Sequence, residues 1–108
     1  MVSALVETEC LRTLDRLRLQ EGTPEAQWAF RREAVYRLLE TVEVVELTRE
    51  VLSRAAQPLP VALGTLDAIH LATALLWSER SGSPLFMATH DAALGLAARA
   101  VGLRVIGL

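Results

Sequence analysis

The stretch TLDAIHLATALLW, residues 65–77, is apolar on nearly every side once wound as a helix. A helix of that kind has to be covered by other elements, so it belongs in the middle of a fold. It predicts a central helix over about 66–80, ended by SGSP, in a chain of 108 residues, long enough for one hydrophobic core. Asp67 and His70 are the polar residues near its start. A carboxylate among apolar neighbours is costly unless it is paired, hydrogen-bonded or bound to a cation. Asp67 therefore sits at an exposed helix end or faces a site.

The segments around this helix alternate between two periodicities. Residues 3–19 suit a helix that Ser3 can cap, with Val6, Cys10, Leu14 and Leu17 on one face. QEGTP breaks it. Thr23 as N-cap with Pro24 at the first helical position predicts a second helix, running through Trp28 and Val35 to about Glu40. VEVVEL, 42–47, is β-branched and reads as a strand, and Thr48 can cap a third helix over 49–57. QPLPVALG, 57–64, is a connection. PLFMAT, 84–89, reads as a buried strand. Then comes a helix over 91–102 with Asp91 near its start and Gly102 as its stop, and a last strand over 103–108. Strands alternating with helices give an α/β class with a mainly parallel sheet, in one domain spanning 1–108. Only three strands are visible, few for such a sheet. Sites in parallel sheets form at the carboxyl ends of strands, where Asp91 follows LFMAT.

The composition narrows the function. A net charge of −2 argues against broad, non-specific nucleic-acid binding but leaves a nucleic-acid substrate open. The apolar runs are broken by charges before the roughly 18 residues of a membrane span. Glu7 and Glu9 fall where a signal peptide would be apolar. The default is a cytoplasmic protein. A single cysteine excludes an internal disulfide and a Cys-rich zinc site, and Cys10 reads as a small core residue. His70 and His90 do not have a common zinc-ligand spacing.

Three acids stand out, and each has an ordinary role open to it. Glu9 can pair with Arg12 on the helix surface. Asp67 can complement the positive end of its helix. Asp91 can be an N-cap. The alternative is a carboxylate cluster for a hard divalent cation, Mg²⁺ or Mn²⁺, which prefers oxygen ligands. Such an ion reverses the local charge, so an acidic pocket can accept an anionic substrate.

LDAIHLATAL (66–75) followed by ATHDAALGLAARAVGLRVI (88–106) resembles the C-terminal half of a PIN domain, above all the VapC-like ribonuclease toxins of toxin–antitoxin pairs. VSALVETECLR (2–12) resembles the second acidic motif of that family. The resemblance implies a three-layer α/β/α fold and a Mg²⁺- or Mn²⁺-dependent endoribonuclease. It implies Glu9, Asp67 and Asp91 as metal-site and catalytic acids, with Thr89 hydrogen-bonding at the site. Arg12 would contact phosphate, and His70 could orient Asp67 or contact substrate, although its ordinary reading is a histidine packed in the core or supporting the site from behind. Glu7 is the rival of Glu9, and His90 reads as exposed loop. RNA is the implied substrate and an antitoxin protein the implied partner.

The family pattern also has an earlier strand, central in its sheet, that ends in a further metal-binding aspartate; residues 1–108 contain no match to it. A late start assignment, a decayed gene and a true short form are three explanations. The expectation is a sheet depleted of its N-terminal strand, a weakly held metal and little or no activity. An uncovered edge invites pairing with a second copy, hence a homodimer. A non-catalytic interaction domain that binds an antitoxin-like partner is the other reading. A receiver-like domain fits worse, because it calls for a lysine near the acids and the chain has none.

Overall fold

Nine elements follow one another in the computed structural model, which describes residues 1–108. They are β1 (Val2–Ser3), α1 (Leu5–Glu21), α2 (Glu25–Glu40), β2 (Val44–Val45), α3 (Arg49–Ala55), α4 (Thr65–Ser81), β3 (Phe86–Ala88), α5 (Ala92–Ala100) and β4 (Arg104–Ile106). The chain divides into two compact units, Met1–Glu46 and Leu47–Leu108.

In the first unit α1 and α2 fold back on each other across Gly22–Pro24, and β1 pairs in parallel with β2. Helix α1 begins at Leu5 rather than Ser3, because Val2 and Ser3 are drawn into the ladder. The Val2 N–H donates to the Glu43 carbonyl at 2.9 Å and the Ala4 N–H to that of Val45 at 2.8 Å. Ser3 is buried, and its Oγ still accepts from the Leu5 N–H at 3.3 Å, so the hydroxyl serves the helix start from one residue outside it. Gly22, at φ 63°, ends α1 in the left-handed conformation.

The second helix starts one residue later than Thr23 and Pro24 predict. Pro24 has an extended backbone (φ −56°, ψ 143°), and its carbonyl accepts the first helical bond from the Trp28 N–H at 3.0 Å. Pro24 is therefore the cap, and the Thr23 side chain makes no cap bond. The strand expected over 42–47 shrinks to Val44–Val45 because the Val42 N–H is still bonded to Leu39 in the turn that closes α2. No residue of α1 or α2 is fully buried, Cys10 included. Arg18 and Arg32 stack on the Trp28 ring at 5.2 and 5.4 Å, so alkyl and guanidinium surface covers the indole where a core would.

The second unit has a true core, built on α4. Ala68, Ile69, Leu71, Ala72, Thr73, Ala74 and Leu76 are buried along that helix. Leu71 and Ala74 cluster with Leu94, Ala97, Ala98 and Leu103. Ala97 and Ala98 are wholly inaccessible, so small side chains at this contact let α5 lie close against its neighbours. Burying a leucine the size of Leu71 stabilises by about 1.5–3 kcal/mol.

The Thr48 hydroxyl caps α3 by accepting from the Val51 N–H at 3.3 Å, as the sequence predicts. Arg54 grips Glu79 through two hydrogen bonds, at 3.1 and 2.7 Å, and Arg80 pairs with Glu50, so α3 and α4 are clamped at their charged rims.

Helix α5 stops where Gly102 predicts. The Leu103 N–H reaches the Ala98 carbonyl at 2.9 Å and the Gly102 N–H that of Arg99 at 3.0 Å, a Schellman closure with Gly102 at φ 91°. Leu103 is spent in that closure, so the last strand is Arg104–Ile106 rather than 103–108. It pairs in parallel with β3, Phe86 opposite Arg104, Met87 opposite Val105 and Ala88 opposite Ile106. Met87 and Val105 pack on the core, whereas Phe86, Ala88, Arg104 and Ile106 are exposed on the other face. Strands alternate with helices and both strand pairings are parallel, which fits the α/β class; each unit carries one two-stranded pair.

Candidate functional site

Thr89, His90 and Asp91 form the link between β3 and α5, at the carboxyl ends of the parallel strands. The Thr89 N–H donates to the Ile106 carbonyl at 3.0 Å and so carries the ladder one rung past β3. Its Oγ1 accepts from the Asp91 N–H at 3.0 Å. Asp91 then caps α5: its Oδ1 accepts from the Leu94 N–H at 2.8 Å. The ordinary N-cap role is thus filled, and it fixes the carboxylate while using one of its two oxygens. Asp91 is exposed, so Oδ2 faces water or a ligand.

Asp67 lies in the first turn of α4, where Gly64 is the cap and supplies no side chain. The carboxylate is half-buried, next to buried Ala68 and Ile69, and no hydrogen bond or ion pair engages it. The exposed amide end of the helix favours its charge. His70, half-buried, follows three residues later on the same face.

Glu9 and Arg12 belong to the first unit, on α1. Glu9 is half-buried, while Glu7, its rival, is exposed in the first turn. Arg12 extends into solvent and has Asp15, not Glu9, as its ion-pair partner, at 3.7 Å. Asp15 is held below the usual carboxylate range, first by its hydrogen bond from Arg18.

The second unit therefore brings Thr89 and Asp91 together and sets Asp67 at a helix start. Neither unit contains a group of three or more histidines, cysteines or carboxylates placed to hold a metal ion. The donor chemistry of Asp67 and Asp91 nevertheless fits Mg²⁺ or Mn²⁺. Both are hard oxygen ligands, and Mg²⁺ is commonly held by one or two carboxylates and several waters. A hollow of about 440 Å³ lined mainly by aliphatic side chains, with Gln57 and Thr65 among them, contains none of these acids, so it is not the site.

Sequence reasoning assigns His90 to exposed loop, and it is exposed; what it misses is the bond from His90 Nδ1 to the Gly107 carbonyl at 2.7 Å. The signal is faint: a histidine beside the acid, and a glycine after the last strand.

Parallel strands alternating with helices, and a carboxylate fixed at the carboxyl end of a strand, define an α/β protein. A family model, the PIN domain, matches residues 1–100, and the chain belongs to that family. No curated protein and no solved structure gives a significant match. PIN domains are generally nucleases that depend on divalent metal, which agrees with the oxygen-rich donor set. No helix is long and apolar enough to cross a membrane.

Proposed function

We propose that the protein is a Mg²⁺- or Mn²⁺-dependent endoribonuclease of the VapC-like toxin kind, working as a homodimer in the cytoplasm and restrained by an antitoxin protein. The fold proposed for it is a three-layer α/β/α sandwich, one domain over residues 1–108, with a mainly parallel sheet. The observation that carries the reading is Asp67, a half-buried carboxylate with no hydrogen bond or ion pair in the mainly apolar first half of α4, in a PIN domain. The helix start favours such a charge, and a bound cation would give it the partner it lacks.

Asp67 and Asp91 of the second unit would hold the metal, which when bound supplies Lewis acidity and an activated water for phosphodiester hydrolysis. Thr89 sets the direction of Asp91 through its hydroxyl. Asp91 keeps one oxygen fixed by the helix amide, so its other oxygen is presented in one orientation and little order has to be gained on binding. Arg12, exposed and long, suits a phosphate contact on the RNA strand. His70, three residues on along α4, would orient Asp67 or contact substrate. With so few carboxylates assigned to the metal, binding is weak and turnover slow.

The test uses Mn²⁺ titration calorimetry and cleavage of single-stranded RNA, with Asp67→Asn as comparison. Metal-dependent cleavage and Mn²⁺ binding that both fall in Asp67→Asn support the proposal. Equal Mn²⁺ binding by the two proteins removes Asp67 from the site. If the wild type neither binds Mn²⁺ nor cuts any of a diverse RNA set, the interaction-domain reading replaces the enzyme.

A further inference from the structure

The Thr89–Asp91 link is held from a direction that the family match does not cover. Gly107, beyond the matched residues 1–100, follows β4 and lies against the link. Its φ is 101°, a conformation that residues with a side chain rarely adopt. A Cβ placed on it would meet the Thr89 carbonyl oxygen at 2.7 Å and the Thr89 carbonyl carbon at 3.3 Å. These are backbone atoms, already fixed by the Thr89 N–H bond to Ile106, so they cannot swing aside as the tip of a side chain would.

The Gly107 carbonyl is also the acceptor for His90 Nδ1 at 2.7 Å. A carbonyl has no proton to give, so the proton is on Nδ1, and in the neutral ring Nε2 carries the bare lone pair. Two backbone groups of residues 106 and 107 thus grip residues 89 and 90, and Thr89 in turn grips the Asp91 amide.

We propose that Gly107 is a positioning residue for this site: it lets the end of β4 approach the Thr89 backbone and lock the His90 ring, and through them it sets the Asp91 carboxylate. The link to metal and RNA rests on the ribonuclease reading; the lock itself does not. Gly107→Ala pushes Thr89 outward and turns the chain at Asp91, while the core around Leu71, Leu94 and Ala97 is left in place. A carboxylate displaced by about 1 Å lowers kcat roughly 100-fold.

The experiment compares the wild type with Gly107→Ala, His90→Ala and His90→Asn by nitrogen–proton correlation spectra, Mn²⁺ titration and RNA cleavage. The asparagine amide can donate from nearly the position of Nδ1–H, so His90→Asn tests the bond alone. Expected are the Nδ1–H tautomer of His90 in the wild type and its loss in Gly107→Ala. The Asp91 and Leu94 amide signals should shift in that variant while those of α4 stay put. Mn²⁺ affinity and kcat should fall in Gly107→Ala and His90→Ala and recover in His90→Asn.

Unmoved Asp91 and Leu94 signals in Gly107→Ala would overturn the proposal. So would equal damage in the two His90 variants, and that pair decides the matter if Gly107→Ala fails to fold. If the wild type shows neither Mn²⁺ binding nor RNA cleavage, it is the ribonuclease reading that fails, and the spectra still judge the lock.

Discussion

Asp91 is assigned two tasks, and two substitutions separate them. As N-cap it accepts the Leu94 N–H at 2.8 Å, one of the amide donors the nine-residue helix α5 cannot satisfy internally. Asp91→Ala removes that acceptor, which costs about 1 kcal/mol of stability. For a domain of this size that lowers Tm by roughly 4–8 °C. Asp91→Asn keeps an oxygen in place, and asparagine caps about as well as aspartate. It loses only the attraction of a negative charge for the helix start, about 0.3–1 kcal/mol. Stability should therefore fall in the order wild type, Asn, Ala.

Metal-dependent cleavage should follow a different order. Both variants lack the charged ligand, so both should lose activity by at least the roughly 100-fold of a misplaced metal. Melting followed by circular dichroism gives the first order. Single-turnover cleavage of RNA, measured well below every melting transition, gives the second. If Asp91→Asn cuts RNA like the wild type while Asp91→Ala fails, Asp91 is a cap and nothing more, and the metal assignment is refuted.

Acid should release the clamp between α3 and α4. Glu79 is held below its ordinary pKa of 4.5, first by the hydrogen bonds from Arg54, while Arg54 is raised above its own value and stays charged throughout. The stability from a depressed carboxylate is complete above its unfolded pKa and fades as pH falls through the folded one. The Tm gap between wild type and Glu79→Gln should thus be constant near neutral pH and close below about pH 4.5. A gap that widens on acidification would reverse the assignment. Phe86 and Ile106, more than half exposed on the uncovered face of β3–β4, predict a dimer, since parallel sheets normally have both faces covered. Light scattering at tens of micromolar should show twice the chain mass, and Phe86→Glu should shift it towards monomer; an unchanged monomer in both would count against the dimer.

Much of the second unit was legible because its signals are local. The apolar run of α4 needs no partner to be read, Thr48 and Asp91 announce helix starts, and Gly102 announces a stop that the Leu103–Ala98 bond completes. The LDAIHLATAL and T-x-D motifs led to the family through the same local spacing. Strand β1 was invisible because two residues contain no period, and its register depends on Val44–Val45 far along the chain. Thr23 does not cap α2, because the extended backbone of Pro24 makes proline itself the cap, which side-chain preference alone does not reveal. The grip of Gly107 on Thr89 and His90 spans strand and loop, and no spacing rule connects positions 90 and 107.

The β1–β2 ladder has a kinetic meaning. Val2 pairs with Val44, so its few hydrogen bonds close a loop of nearly the whole first unit. Closing roughly 40 flexible residues costs about 3 kcal/mol of chain entropy. Two rungs offset little of that, so the ladder forms late, after α1 and α2 have wound and folded back and drawn their ends together. Strand β1 leaves the ribosome before β2 and waits for its partner until the helical hairpin between them has formed. Protection of the Val2 and Ala4 amides against hydrogen exchange is accordingly a gauge of the helical hairpin between them: anything that loosens α1 from α2 unfastens the two strands first.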